Sequence, residues 1–188
     1  KSTGIDAIAA TDILTTSFIT KARVKAHTTS LGTPLVQPLR IDGQNYYVMF
    51  IHPWQAYDLK TAASSVWAQA QRDAQLRGGD NPIFQGSLGI WDGVILHEHE
   101  YVPVAQTGAA FAVGGTATAA RVFRSILCGR QAAVFAECEN PNGFVEKEFD
   151  YGNKAGFSTG LIGGIQKTAF NSIDYGIITV DTSSTDLS

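Results

Sequence analysis

"NKAGFSTGLIGGIQKTAF", Asn153 to Phe170, decides between two kinds of protein. Within it, Gly156-Phe157-Ser158-Thr159-Gly160 matches G-x-S-x-G, the pattern that exposes a nucleophilic serine on a strand-to-helix turn. Such an elbow needs a helix after the serine and a histidine later in the chain. No histidine follows Ser158, because His27, His52, His97 and His99 all precede it. Gly160, Gly163 and Gly164 would each weaken the required helix by about 1 kcal/mol. A phosphate loop fails as well. "GLIGGIQKT" ends in Lys167-Thr168, but Gln166 and Leu161 stand where that loop needs its two glycines. The stretch therefore reads as a glycine-rich structural segment.

Composition narrows the alternatives. A chain of 188 residues can bury one full core, in one domain or in two intertwined lobes. The 44% hydrophobic content is that of a globular protein. A net charge of -3 with scattered basic residues argues against a dedicated nucleic-acid binder. No run approaches the ~18 apolar residues that cross a bilayer, and no secretory leader is visible, so a soluble protein is expected. Cys128 and Cys138 form no disulfide framework and read as two reduced, half-buried thiols. The chain opens on Lys1 with a helix close behind, which suggests that upstream residues are missing. Only 16% of residues are charged, against about a quarter in typical soluble proteins. Uncharged surface of that kind suits contacts with copies of the same chain.

Working outward from the glycine-rich stretch, residues 11 to 27 have the four-residue spacing of an amphipathic helix in Leu14, Phe18, Ala22 and Ala26, with Thr11 or Asp12 as the cap. Asp42-Gly43 and Asp92-Gly93 each sit between β-rich runs and predict turns. Pro53 is placed for the first turn of a helix. A further helix is expected from Ser64-Ser65 to Gly78-Gly79, with Trp67, Ala70 and Ala74 on one face. The Gly/Ala/Thr stretch from Thr107 to Ala120 predicts an exposed loop. "RVFRSILCG" and "QAAVFAEC" predict buried strand or strand-helix segments, "NPNG" a turn, and "FVEKEFDY" and "DYGIITVDT" strands. Helices mixed with strands that concentrate toward the C-terminus give an α+β fold class.

The most metal-like constellation is "ILHEHEYV", where strand alternation places His97 and His99 on one face and Glu98 and Glu100 on the other. A metal site needs a third ligand, for which His52 is the candidate. A metal-dependent enzyme using His52, His97 and His99 on a β-rich scaffold is therefore the alternative function. The plainer reading is a polar edge facing another subunit. Trp54, Tyr57, Trp67 and Trp91 could stack a sugar or a base, although core packing is the commoner use of such residues.

The stretch extended to "DYGNKAGFSTGLIGGIQKTAFNSIDYGIITVDT" resembles the C-terminal signature of the major capsid proteins of N-four-like bacteriophages. "LRIDGQNYYVMFIHPWQAYDLK", "NPIFQGSLGIWDGVILHEHE" and "ILCGRQAAVFA" agree with that family in order, so the resemblance covers nearly the whole chain. It implies the Hong Kong ninety-seven type capsid fold with peripheral and axial lobes and its N-terminal part missing. Residues 1–45 would belong to the peripheral lobe, 46–140 to the axial lobe, and 141–188 would return as strands to the peripheral lobe. The implied function is structural, without catalytic residues or cofactors: self-assembly into an icosahedral virion shell around phage DNA. Implied partners are copies of the chain in pentamers and hexamers, packaged double-stranded DNA without sequence specificity, and portal and decoration proteins, with no membrane. Synthesis would be in the host cytoplasm. His97, Glu98, His99, Glu100, Ala110 and Ala112 are the candidate subunit contacts.

Overall fold

Helix α1 occupies Thr16–His27, so it begins later than its apolar spacing suggests. The preceding residues are already committed. The Asp12 carboxylate accepts the Ala9 N–H at 2.9 Å, the Asp12 carbonyl accepts the Ser183 N–H, and Ile13 bridges Ser183. A segment tied this way to the far end of the chain cannot also coil, and Thr15, in an extended conformation, takes the N-cap position. Leu14, Ile19, Ala22 and Ala26 are buried and Phe18 partly so, which preserves the expected face. These and all other observations come from a computed structural model that describes residues 8–28, 35–62, 87–106, 121–138 and 144–184. The expected helix at 64–79, the loop at 107–120 and the turn at 140–143 lie outside them.

β1 (Leu39–Ile41) and β2 (Gln44–Ile51) meet at Asp42-Gly43, both with positive φ, 49° and 79°. Two left-handed residues are what a two-residue hairpin with native twist requires. α2 follows at Pro53–Ala62, with proline in its first turn as expected. β3 (Ser87–Trp91) and β4 (Val94–Glu98) repeat the Asp-Gly hairpin at Asp92-Gly93, and Arg23 of α1 pairs with Asp92 at its tip. β5 (Val104–Gln106) and β6 (Arg121–Cys128) complete this part of the sheet. The chain then runs through β7 (Ala133–Cys138), β8 (Phe144–Phe149), β9 (Lys154–Thr159), β10 (Ile162–Lys167), β11 (Ala169–Phe170) and β12 (Ile173–Asp174). β13 (Ile177–Ser183) rejoins β6.

The main sheet has the order β13-β6-β2-β4-β3, with β1 on β2 and β5 on β6. Among the described strands only β2 and β4 pair in parallel, so their connection crosses over and carries α2. Along β2, Tyr47, Met49 and Ile51 join the large core with Leu14, Ile19 and Leu59. Tyr46 and Val48, on the other face, form a second cluster with Ile90 and Ile95, against which Phe50 packs. A strand covered on both sides reads as a continuous apolar run, and "YYVMFI" is one. The sheet takes strands from 39–51, 87–106, 121–128 and 177–183, that is, from all three segments into which the sequence was divided above.

Between β6 and β13 the chain leaves this body as a two-stranded ribbon. β7 pairs antiparallel with β10, and further out β8 pairs with β9. At its root the Gly129 N–H donates to the Gly176 carbonyl at 2.8 Å, and a Cβ on Gly176 would lie 2.1 Å from the Gln131 carbonyl oxygen. Only glycine permits that approach. "QAAVFAEC" is a strand, but its expected burial is wrong: every residue of β7 is exposed. Among the described residues β7 has β10 as its one ladder partner, and neither of the two buried clusters includes it. The thiols differ accordingly. Cys128 is half-buried, which pushes its pKa up, whereas Cys138 on the ribbon is exposed and not half-buried.

Candidate functional site

Ser158 lies within β9, exposed, with Val145 of β8 as its register partner. It sits in a strand that leads to another strand, β10, so the strand-to-helix elbow is absent around it. The glycines have a local explanation. A Cβ on Gly156 would meet the Phe149 ring at 2.9 Å, and one on Gly163 would meet the Phe135 ring at 2.8 Å. In each ladder a phenylalanine on one strand lies across a glycine on the other, covering backbone that no side chain shields. That packing accounts for the first glycine of the G-x-S-x-G match, Gly156.

His97 ends up beside both neighbours of β4, opposite Phe50 on β2 and Ser87 on β3. Its ring centroid is 5.9 Å from that of Phe50, and the His99 ring meets Phe50 edge-on at 6.5 Å. The two histidines therefore share a face, as the alternation predicts. Glu98 approaches Lys60 at 4.0 Å, and Glu100 is exposed in the following turn. Ala110 and Ala112 lie outside the described residues.

His52 does not join them as a metal ligand because it caps α2. Its Nδ1 accepts the Trp54 N–H at 3.3 Å, while Gln55 Oε1 accepts the His52 N–H at 3.0 Å. This is the reciprocal geometry of a capping box, with histidine in the place usual for serine or threonine. The ring also packs on Phe123 at 4.7 Å. Burial lowers the His52 pKa below 6.5, with the Glu98 charge opposing. Among the described residues no three His, Cys, Asp or Glu side chains gather as a metal cluster.

Gln55 is the polar hub that sequence reasoning missed. Fully buried, its Oε1 also accepts the Ser125 hydroxyl at 2.9 Å, and its Nε2 donates to Thr182 Oγ1 at 2.7 Å. The amide thus fastens α2 to β6 and β13. Beside it, buried Ser184 donates to Asp58 Oδ2 at 2.6 Å. A glutamine two residues after the proline of a helix start was the available signal. Trp54, offered as a stacking residue, carries the Arg121 guanidinium at 4.3 Å from its ring, and Trp91 Nε1 donates to Thr20 Oγ1. Tyr57 is exposed, and Trp67 lies outside the described residues.

The surface that distinguishes this molecule is the ribbon. None of the buried residues among those described lies between 133 and 174. Phe135, Phe149, Phe157, Ile162, Ile165 and Phe170 are all at least half exposed, and Tyr151 at the distal turn is fully so. Tyr151 and its neighbour Asp150 hold positive φ values of 51° and 57°. At the root, Val134, Ala136, Gly164, Phe170 and Tyr175 line an open groove of about 680 Å³. Nothing in it resembles a constellation of acid, base and nucleophile. What the ribbon offers is apolar contact area.

The sequence matches the family model described as phage capsid protein over residues 1–186. It is 34% identical over 181 residues to the major capsid protein of Pseudomonas phage KPP25, covering 88% of this chain and 45% of that protein. Among solved structures, the capsid of Ralstonia phage GP4 is similar with a TM-score of 0.73 and 31% identity, over 99% of this chain and 51% of that one. The cyanophage Pam1 capsid shares the fold at a TM-score of 0.56 and 23% identity, over 96% of this chain and 49% of the other. The chain spans about half the length of the relatives it matches.

Proposed function

We propose, from the premise that this chain belongs to the phage capsid protein family, that it is a major part of a subunit which self-assembles into an icosahedral shell. The observation that carries the proposal is the family match along 1–186, joined by likeness to the GP4 capsid over 99% of the chain. Family membership points to a structural and non-enzymatic protein, and the fold is that of tailed-phage capsids. Within the proposal, subunits form pentamers and hexamers whose individual contacts are modest and whose closure makes the whole stable. The shell encloses double-stranded DNA without reading its sequence, in keeping with a net charge of -3. Portal and decoration proteins are its further partners, the subunit is made in the host cytoplasm, and its place is the virion.

The lobe division at 1–45, 46–140 and 141–188 belongs to the same proposal. On this division the lobes would share one sheet, since its strands come from all three segments. His97, Glu98, His99 and Glu100 are proposed as subunit contacts, as are Ala110 and Ala112 on the strength of sequence alone. Electron microscopy of the purified full-length protein tests the reading. Closed shells are expected. A protein that stays monomeric and monodisperse at high concentration would overturn it.

A further inference from the structure

We infer that the ribbon from Ala133 to Asp174 is seated against a second copy of the chain, an assignment that rests on the shell-forming reading above. Three observations carry it. The first is area: ten large apolar side chains from Val134 to Ile173 are exposed, eight of them aromatic or isoleucine, and over both faces of the ribbon they sum to on the order of 1,000 Å², given about 150–250 Å² per aromatic residue. A standard interface takes about 800 Å² from each partner. Among the described residues the body exposes fewer large apolar side chains, Val24, Leu35, Tyr57, Tyr101 and Val104, and most of its others fill the two clusters on its sheet.

The second is the backbone. Each ladder of the ribbon has two strands, β7 with β10 and β8 with β9, so among the described residues their outer edges enter no further ladder. Two-stranded ribbons are marginal alone and gain stability when a strand or another layer is added. The third is charge. Glu146, Lys147, Glu148 and Lys154 mix both signs along the distal ladder, so two copies meeting there do not face a field of one sign. Phe157 stands opposite Glu146, and Lys147 lies 5.3 Å from the Phe149 ring, which leaves apolar and charged groups interleaved. The chain's own family supplies the occupant: in a capsid the neighbour is another copy, and the copies are held at high local concentration.

Hydrogen exchange on the full-length protein, as dilute free subunits and as assembled particles, tests the assignment, together with the double variant Phe157→Glu, Ile165→Glu. The backbone amides of 133–138 and 154–167 are expected to exchange at least about tenfold more slowly in particles than in free subunits. The double variant is expected to lose assembly while its subunit unfolding midpoint stays that of the parent. Equally slow exchange in free subunits would assign the ribbon's cover to the subunit's own polypeptide and overturn the inference. So would fast exchange in both states, slowing produced only by adding another virion protein, or a double variant that assembles like the parent. Absence of any particles refutes the shell reading itself, whereas particles with an unprotected ribbon refute only the ribbon assignment.

Discussion

β6 and β7 are successive strands of nearly equal apolar content, "RVFRSILC" and "AVFAEC", yet they have opposite fates. In β6, Val122, Phe123, Ser125 and Leu127 are buried between β13 and β2, whereas every residue of β7 is exposed. Four residues separate them. The difference lies in what each strand finds to pair with and to pack on: β6 has a neighbour on each edge and helices over one face, and β7 has β10 alone. An apolar alternation specifies a face that wants covering, and it does not say by what. In the body the cover is intramolecular. In the ribbon it is supplied from outside the described chain.

The sharpest way to break this contrast is to truncate one apolar residue from each region. Leu127→Ala opens a cavity in the buried core and is expected to cost about 2–5 kcal/mol, whereas Ile165→Ala in unassembled protein is expected within about 0.5 kcal/mol of the parent. Chemical denaturation measures both, and equal losses would dissolve the distinction. A second pair uses glycine. Gly176→Ala forces a Cβ to within 2.1 Å of the Gln131 carbonyl and is expected to cost about 1–3 kcal/mol, while Gly164→Ala meets nothing within 4 Å and is expected to be nearly silent.

A smaller effect is expected from pH. Because folding lowers the His52 pKa, the unfolded chain takes up the proton more readily. Stability contributed by neutral His52 is therefore present above its ordinary value of 6.5 and is lost as pH falls below it. Protonation at Nδ1 also removes the acceptor for the Trp54 N–H. His52→Asn keeps an N-cap that does not titrate, and the variant's unfolding midpoint should lose its slope in that window. An unchanged slope rejects the capping role. The smallest effect is expected at Ser158→Ala, which should alter neither stability nor particle yield; labelling of Ser158 by a serine-directed reagent would count against its passive role.

The local devices of this fold were legible in the sequence because their causes are local. Asp42-Gly43 and Asp92-Gly93 dictate their own backbone, and Pro53 starts α2 whatever surrounds it. The failures involve partners distant along the chain. α1 starts at Thr16 because Asp12 and Ile13 are held by Ser183, 170 residues away in the case of Ile13. Gln55 became a hub because Ser125 and Thr182 arrive from two other strands. His52 looked like a ligand in search of a metal, but its ring nitrogen accepts the Trp54 N–H while its own N–H is held by the Gln55 side chain, a geometry that residue spacing alone does not announce. The serine motif was correctly set aside, but the phenylalanines that pack on Gly156 and Gly163 lie on the opposite strands and could be named only once the register was known.

The root of the ribbon has a topological consequence. Cys128 and Ile177 face each other across the β6-β13 ladder, and the next hydrogen bond joins Gly129 to Gly176, so the chain departs and returns through one doorway a single strand spacing wide. Whatever is threaded through that doorway leaves the hinge posts unmoved. A short turn between 128 and 177 would close the same ladder, and a longer excursion would cost only the slow logarithmic growth of loop entropy. The ribbon is thus a cassette in the topology: a change in its length leaves the pairing of β6 with β13 intact, which sets the surface it carries apart from the core.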